Sequence, residues 1–280
     1  MQATIQYIKQ ELSGLYPKTE IRAFTRLILE RVCGLTYTEQ LLRKEQLLDD
    51  SHVQHIREIV ERLKAYEPVQ YILGETEFLD LRLRVNPSVL IPRPETEELV
   101  YWAAQTPFPQ KAVMLDVGTG SGCIALGLKK MIPDAMLHGC DSSTSAIETA
   151  KENAALNSLD VSFFEADILK WKQYKWGDFN LIISNPPYVR AFEKEQMEQN
   201  VLQYEPESAL FVSNHDPLKF YRVITEFACE HLQKDGWLFF EINEALGAEM
   251  MTLVKEYGFN DVEVRTDLSD KDRMLRCRRR

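Results

Sequence analysis

Asp116-Val117-Gly118-Thr119-Gly120-Ser121-Gly122 follows the apolar residues 112–115 and precedes the helix-forming stretch 123–130. Strand, glycine-rich turn and helix in that order open a doubly wound α/β sheet, and the glycines let backbone approach a ligand closely. The spacing is Gly-x-Gly-x-Gly. It is not the Gly-x-Gly-x-x-Gly of dinucleotide folds, and no Lys-Ser/Thr follows as in a phosphate-binding loop. Asp116 at the strand end would repel a phosphate and suits a ligand with cationic groups. A glycine turn used for packing alone is the other reading. About twenty residues on, Asp141 closes the apolar run 135–140, where an acid can accept from both hydroxyls of a ribose. Asp167 ends another strand-like run, 161–166. Either aspartate could instead cap a helix or sit in a solvated loop.

Downstream, Asn185-Pro186-Pro187-Tyr188 follows the apolar Leu181, Ile182 and Ile183. Two prolines cannot continue a ladder, because neither donates a hydrogen bond and each fixes φ. The sequence therefore sets a rigid loop at a strand end. Asn185 offers a side-chain carbonyl and Pro186 a main-chain carbonyl, two fixed acceptors for the two hydrogens of an –NH2 group. Tyr188 adds a flat apolar face beside them. An ordinary turn is the alternative.

Together these motifs resemble the S-adenosylmethionine site of class I methyltransferases. That resemblance implies a Rossmann-like α/β fold with a seven-stranded sheet. It also implies that Asp116, Gly118, Thr119, Gly120, Ser121, Gly122, Asp141, Asp167, Ile168 and Asn185 bind the cofactor, with Asp167 meeting the adenine amino group and Ile168 packing on the ring. The motifs occur in the order that places each at the carboxyl end of a successive strand.

Composition narrows the class. The chain has 280 residues, 45% of them hydrophobic, enough for one or two domains with a substantial core. No apolar run approaches the roughly 18 residues of a membrane span, and the polar, amphipathic N-terminus does not read as a signal peptide, so a cytoplasmic protein is expected. A net charge of −10 argues against non-specific duplex binding. The five cysteines are scattered singly, and His52 and His55 on one helix read as surface residues, so neither a disulfide scaffold nor a metal site is expected.

Before about residue 75 the periodicity is helical. Stripes run through Ile5, Ile8, Leu12 and Leu15, then Ile21, Phe24, Leu27, Ile28 and Val32. A third fits Leu41, Leu42, Leu47 and Leu48, and a fourth Val53, Ile56, Ile59, Val60 and Leu63 with Ser51 as cap. Residues 1–75 are thus expected to form a small helical bundle. Residues 76–92 are expected to be a β-hairpin linker turning at Asn86-Pro87-Ser88 into Val89, Leu90 and Ile91. Residues 93–280 form the α/β domain, whose helix after Pro92-Arg93-Pro94 starts with proline and acids, as the helix dipole prefers. Residues 192–202 read as a polar, mobile loop, residues 236–242, 262–266 and 274–277 as closing strands, and the terminal arginines as a solvated end.

Three further stretches choose a family. Glu67-Pro68-Val69-Gln70-Tyr71-Ile72-Leu73-Gly74 with Glu77-Phe78, then residues 89–97, then Tyr204-Glu205-Pro206 with Ala209-Leu210, resemble the release factor glutamine methyltransferases. With the helical bundle, the resemblance covers essentially the whole chain. The departure lies after Leu210, where a Gly-Gly-x-x-Gly-Leu turn is common and this chain reads Phe211-Val212-Ser213-Asn214-His215-Asp216-Pro217-Leu218.

The resemblance implies methyl transfer from S-adenosylmethionine to the side-chain N5 of the Gly-Gly-Gln glutamine in class 1 peptide chain release factors, supporting translation termination. Asn185 and Pro186 would hold the amide, Pro187 and Tyr188 would flank it, and residues 1–75 would dock the release factor. A monomer is expected, and no nucleic-acid substrate. A DNA adenine-N6 methyltransferase, which shares the Asn-Pro-Pro-Tyr loop, and a non-catalytic factor-binding module are the competing readings. The first requires a basic target-recognition region and a base-flipping pocket, which the acidic chain does not suggest.

Overall fold

The computed structural model describes residues 1–280, the side chains of Ala191 and Gln196 excepted. The backbone separates into two units, Met1–Gly74 with Glu198–Tyr204, and Glu75–Met197 with Glu205–Arg280. Among the described residues no helix is long and apolar enough to cross a membrane.

In the first unit, apolar residues recurring three and four apart give each long helix one buried face. Helix α1 (Gln2–Leu12) buries Ile8 and Leu12, and α2 (Lys18–Cys33) buries Ile21, Phe24, Ile28 and Leu29 before ending at Gly34. Helix α3 (Tyr37–Leu42) opens on a capping box between Thr36 and Glu39. Helix α4 (Asp50–Lys64) buries Ile56, Ile59, Val60 and Leu63, and α5 (Val69–Leu73) follows. The segment Glu198–Tyr204 belongs to this unit, and the Tyr204 hydroxyl donates to the Ala65 carbonyl at 2.8 Å.

The third expected stripe fails. Helix α3 stops at Leu42, so residues 41–48 share no helical face: Leu41, Leu42 and Leu47 are exposed and only Leu48 packs on the bundle core. The cap of α4 is Asp49, whose carboxylate accepts from the His52 backbone N–H at 2.8 Å, while Ser51 donates its hydroxyl to that same carboxylate.

The second unit opens with an antiparallel hairpin of β1 (Glu75–Phe78) and β2 (Leu81–Arg84), followed by α6 (Pro94–Ala104). There follow β3 (Val113–Val117), α7 (Cys123–Met131), β4 (Met136–Asp141), α8 (Thr144–Leu156), β5 (Val161–Glu165) and β6 (Phe179–Ser184). Short strands β7 (Val189–Arg190) and β8 (Phe211–Val212) pair in parallel; between them in sequence come α9 (Gln199–Tyr204), which belongs to the first unit, and α10 (Glu207–Leu210). Helix α11 (Lys219–His231), β9 (Leu232–Glu241), α12 (Gly247–Glu256), β10 (Asn260–Thr266) and β11 (Asp272–Arg278) complete the chain.

Seven strands form one sheet in the order β10-β11-β9-β6-β3-β4-β5. From β9 to β5 neighbours are parallel, and β11 is antiparallel to both β9 and β10. The chain steps outward from β3 to β5, then returns to place β6 on the other side of β3. The carboxyl ends of β3 and β6 therefore flank a topological switch point, where open α/β sheets bind ligands. Alternation along the strands gives each face its own core. Met114, Leu181 and Ile183 join Leu99 and Ile124 on one face, and Leu115, Val117 and Ile182 join Tyr221 and Phe227 on the other.

Two expectations about connections are corrected. The hairpin reverses at Leu79 and Asp80, both with positive φ (50° and 52°), and not at Asn86-Pro87-Ser88; residues 89–91 form no strand. That backbone is unfavourable for Leu. Tertiary partners impose it: Lys130 donates to the Leu79 carbonyl (2.6 Å), Glu97 accepts from the Leu79 N–H (2.8 Å), and the Leu79 side chain is buried. The expected loop at 192–202 contains a 3-10 turn (Ala191–Gln196) and α9, with Glu193 accepting from the Arg190 backbone N–H at 2.7 Å.

Candidate active site

The carboxyl ends of β3, β4, β5 and β6 converge on a cavity of about 340 Å³, within the range of small-molecule sites. From the glycine loop it is lined by Gly118, Thr119, Gly120 and Ser121; from β4, by Asp141; and after β5, by Asp167 and Ile168. Asn185, Pro186 and Pro187 line it after β6, and Arg93 and Thr96 from the start of α6. The sequence-expected residues Asp116, Gly122 and Tyr188 are not on the lining.

The loop's shape follows from its glycines. Gly118, Gly120 and Gly122 all have positive φ (73°, 54° and 82°), which L side chains rarely adopt. A Cβ on Gly118 or Gly120 would meet nothing within 4 Å, so both present bare backbone to open space on the cavity wall. Gly122 has the opposite reason to lack a side chain, since a Cβ there would lie 2.9 Å from Phe163 and 3.2 Å from Ala150. The first two make room for a ligand and the third lets α7 pack.

Asp141 fastens the loop from the next strand. Its Oδ2 accepts from the Gly120 N–H (3.0 Å) and its Oδ1 from the Ser143 N–H (2.9 Å). Burial pushes its carboxyl above the ordinary value, partly opposed by those backbone donors. Asp116 lies behind the loop with no exposed surface; Thr119 Oγ1 donates to its Oδ2 (2.6 Å), and its Oδ1 has no partner among the described residues. Burial pushes this carboxyl up to about 7. Asp167 caps the following turn, accepting from the Leu169 N–H at 2.9 Å, and pairs with Lys170 at 3.0 Å. Arg93, the basic side chain on the lining, is paired with the buried carboxylate of Glu205. Glu205 also accepts from the Ile91 N–H, which pins the segment before α6. Acidic groups beside bare backbone fit a cationic ligand carrying hydroxyls and an amino group. They do not suit a polyphosphate.

Asn185 stands at the end of β6, with Ser184 beneath it donating to the Val117 carbonyl at 2.7 Å. Asn185 Nδ2 donates to Thr96 Oγ1 (3.3 Å), and Thr96 Oγ1 donates to Glu241 Oε2 (2.6 Å). Among the described residues no group donates to Asn185 Oδ1 or to the Pro186 carbonyl, so the loop offers two acceptors at the cavity. Tyr188 turns away from it. Its ring packs against the core, and its hydroxyl donates to Glu241 Oε1 at 3.0 Å. Thr96 and Glu241 were missed as site residues: Thr96 reads as one more polar residue in a helix's first turn, and Glu241 as the polar end of an apolar strand. Among the described residues no group of His, Cys, Asp and Glu could hold a metal ion.

Two family models match the chain, a PrmC N-terminal domain over residues 3–74 and a methyltransferase small domain over residues 101–208. A solved methyltransferase from Pyrococcus furiosus superposes with a TM-score of 0.54 at 18% identity, covering 71% of this chain and 88% of its own. The T. thermophilus 16S rRNA N2 G1207 methyltransferase, solved with AdoMet and guanosine, gives 0.54 at 17% identity, covering 74% of this chain and 50% of its own. Both likenesses show the class I methyltransferase fold alone. Sequence relatives say more. The release factor glutamine methyltransferase of Flavobacterium psychrophilum is 42% identical over 271 residues, covering 95% of each chain, and that of Bacteroides thetaiotaomicron is 41% identical over 273 residues, covering 98% of each. With such relatives along nearly its full length, the chain belongs to the release factor glutamine methyltransferase family.

Proposed function

We propose that this protein transfers a methyl group from S-adenosylmethionine to the side-chain amide nitrogen of the glutamine in the Gly-Gly-Gln motif of class 1 peptide chain release factors. The observation that carries the reading is the polarity of Asn185. Its amide nitrogen is engaged by Thr96, which leaves Oδ1 and the neighbouring Pro186 carbonyl as acceptors on the cavity. Two acceptors side by side fit an –NH2 group with both hydrogens to donate. The names of the relatives supply the substrate class.

S-adenosylmethionine supplies, when bound, an electrophilic methyl on a sulfonium. Asp141 would hold its ribose, Asp167 and Ile168 its adenine, and the bare backbone of Gly118 and Gly120 would admit it closely. The chain's remaining work concerns the nucleophile. An amide nitrogen is weak because its lone pair is delocalised into the carbonyl. By accepting from both N–H groups, Asn185 Oδ1 and Pro186 O stabilise the positive charge that develops on that nitrogen, and they aim its lone pair. The methylated nitrogen is then acidic and sheds a proton to water, so no general base is assigned. Pro187 flanks the amide plane, and Tyr188 supports the loop from behind through Glu241.

A glutamine loop alone buries little surface. We assign docking of the release factor to residues 1–75, acting as a monomer in the cytoplasm. Mass spectrometry of a release factor incubated with this protein and cofactor tests the reading. One added methyl on the Gly-Gly-Gln glutamine is the expected result, and an unmodified glutamine would overturn it.

A further inference from the structure

The two ends of an asparagine amide are nearly isosteric, so the shape of Asn185 does not decide whether it offers a carbonyl or an amino group. Buried chemistry behind it does. A hydroxyl has one proton, and that of Thr96 goes to Glu241 Oε2 at 2.6 Å. With Glu241 ionised, Thr96 Oγ1 can then only accept, so the NH2 end of Asn185 faces it and Oδ1 faces the opposite way. Burial pushes the Glu241 carboxyl up, and the Thr96 and Tyr188 hydroxyls that donate to it favour the ionised form. The carboxylate is itself held. Tyr188 donates to its Oε1 (3.0 Å), and Tyr221 donates to the Glu241 main-chain carbonyl (3.1 Å).

We propose that Glu241 and Thr96 form a positioning relay that sets the polarity of the Asn185 amide, so that Glu241 governs turnover while touching neither substrate nor cofactor. The proposal rests on reading Asn185 as the group that grips the substrate amide. Its second support is the expense of the arrangement. Glu241 is 1% exposed and Thr96 2% exposed. Among the described residues no Lys, Arg or His lies within ion-pair distance of Glu241, and Arg273 nearby is engaged by Asp267 and Glu244. A buried carboxylate held only by hydroxyl donors costs stability that a glutamine or leucine would not. Neutral replacements, however, lose the polarity. Facing a glutamine NH2, Thr96 would accept from it and be free to donate to Asn185. The flipped amide would then set its own N–H groups against those of the substrate.

The test uses the full-length protein with the variants Glu241→Gln, Thr96→Val, Thr96→Ser and the Thr96→Val/Glu241→Gln pair. Glu241→Gln and Thr96→Val should each lower kcat on release factor by about 10- to 100-fold, the scale of a small misplacement of a reacting group. S-adenosylmethionine affinity by calorimetry should stay within about twofold. Thr96→Ser keeps the hydroxyl and should stay near wild type. The double variant should be no slower than the worse single one, since both break one chain of hydrogen bonds. The side-chain 1H–15N signal of Asn185, read without any substrate, should move in Glu241→Gln and not in Thr96→Ser. Wild-type turnover in Glu241→Gln, losses that add in the double variant, or an unmoved Asn185 signal would overturn the relay. If Glu241→Gln fails to fold, the contrast between Thr96→Val and Thr96→Ser decides. Failure of the wild type to methylate release factor would instead overturn the proposed function, and the Asn185 signal would still judge the relay.

Discussion

Asp116→Asn separates what a buried acid does for the fold from what it does for the ligand. Asp116 ends β3 with no exposed surface, and its carboxyl is pushed from 3.8 up to about 7. Burial is the main cause, opposed chiefly by the Thr119 hydroxyl, with Asp141 adding repulsion. The sign follows from proton counting. Between pH 4 and 7 the folded chain holds a proton that the unfolded chain has released, so stability falls as pH rises, at about 1.4 kcal/mol per pH unit. Over the whole interval the loss is about 4 kcal/mol, complete above pH 7. Asparagine does not titrate, so Asp116→Asn abolishes this slope. Its amide hydrogens lack partners at the orphaned Oδ1 position, a pH-independent penalty of about 1–3 kcal/mol. The variant should therefore be less stable than wild type near pH 4 and draw level with or exceed it near pH 8. Urea unfolding of the ligand-free protein at several pH values measures the difference. Curves for the two proteins that run parallel from pH 4 to 8 would refute the reasoning. A cationic ligand in the cavity favours the ionised acid, so wild-type S-adenosylmethionine affinity should also rise with pH through about 7, and that of Asp116→Asn should not.

The other predictions concern single steps. Asn185→Ala should lower kcat by about a hundredfold or more while leaving cofactor affinity nearly unchanged, because the lost acceptor acts on the developing charge; lost cofactor binding with normal turnover at saturation would contradict this. Asp141→Ala should weaken S-adenosylmethionine by roughly 1.5–3 kcal/mol, with the rate restored at saturating cofactor, and an unchanged calorimetric affinity would remove Asp141 from the site. A chain beginning at Glu75 retains Phe78, Leu81 and Leu83 in the core of the second unit. It should bind cofactor normally yet show a much lower kcat/KM on intact release factor; efficiency equal to the full-length protein, with circular dichroism showing a folded chain, would take docking away from the helical unit.

The sheet was legible because its central strands β3 and β6 are buried on both faces. Residues 112–115 and 181–183 read as continuous apolar runs, and the glycine spacing after Asp116 placed the first turn. Connections were less legible where tertiary partners override local preference. Nothing in Leu79-Asp80 announces a turn at positive φ, since neither Gly nor Asn is present. The turn is held by Lys130 and Glu97, which lie 18 or more residues away in sequence. Asn86-Pro87-Ser88 does form a turn, the Val89 N–H donating to the Asn86 carbonyl at 3.1 Å, but it leads into a segment without a strand and on toward α6. The exposed Leu41, Leu42 and Leu47 misled for the converse reason, because an apolar stripe reads as a helical face only while the helix lasts.

At the site the division runs between groups on the cavity and groups behind it. Asn185, Asp141, Gly118 and Gly120, which line the cavity, were legible because residue type and spacing at strand ends are displayed directly in sequence. Thr96 and Glu241 lie 145 residues apart and meet only because α6 and β9 pack together. Each alone has an ordinary local explanation. What distinguishes Glu241 is a conflict between levels: a carboxylate closes the run Trp237 to Phe240 at a depth where only apolar residues are inexpensive. Such a conflict persists when something other than stability depends on it. In the proposed relay the dependent feature is the direction in which the Asn185 amide points, a direction that would decide whether the cavity grips an –NH2 group or repels it.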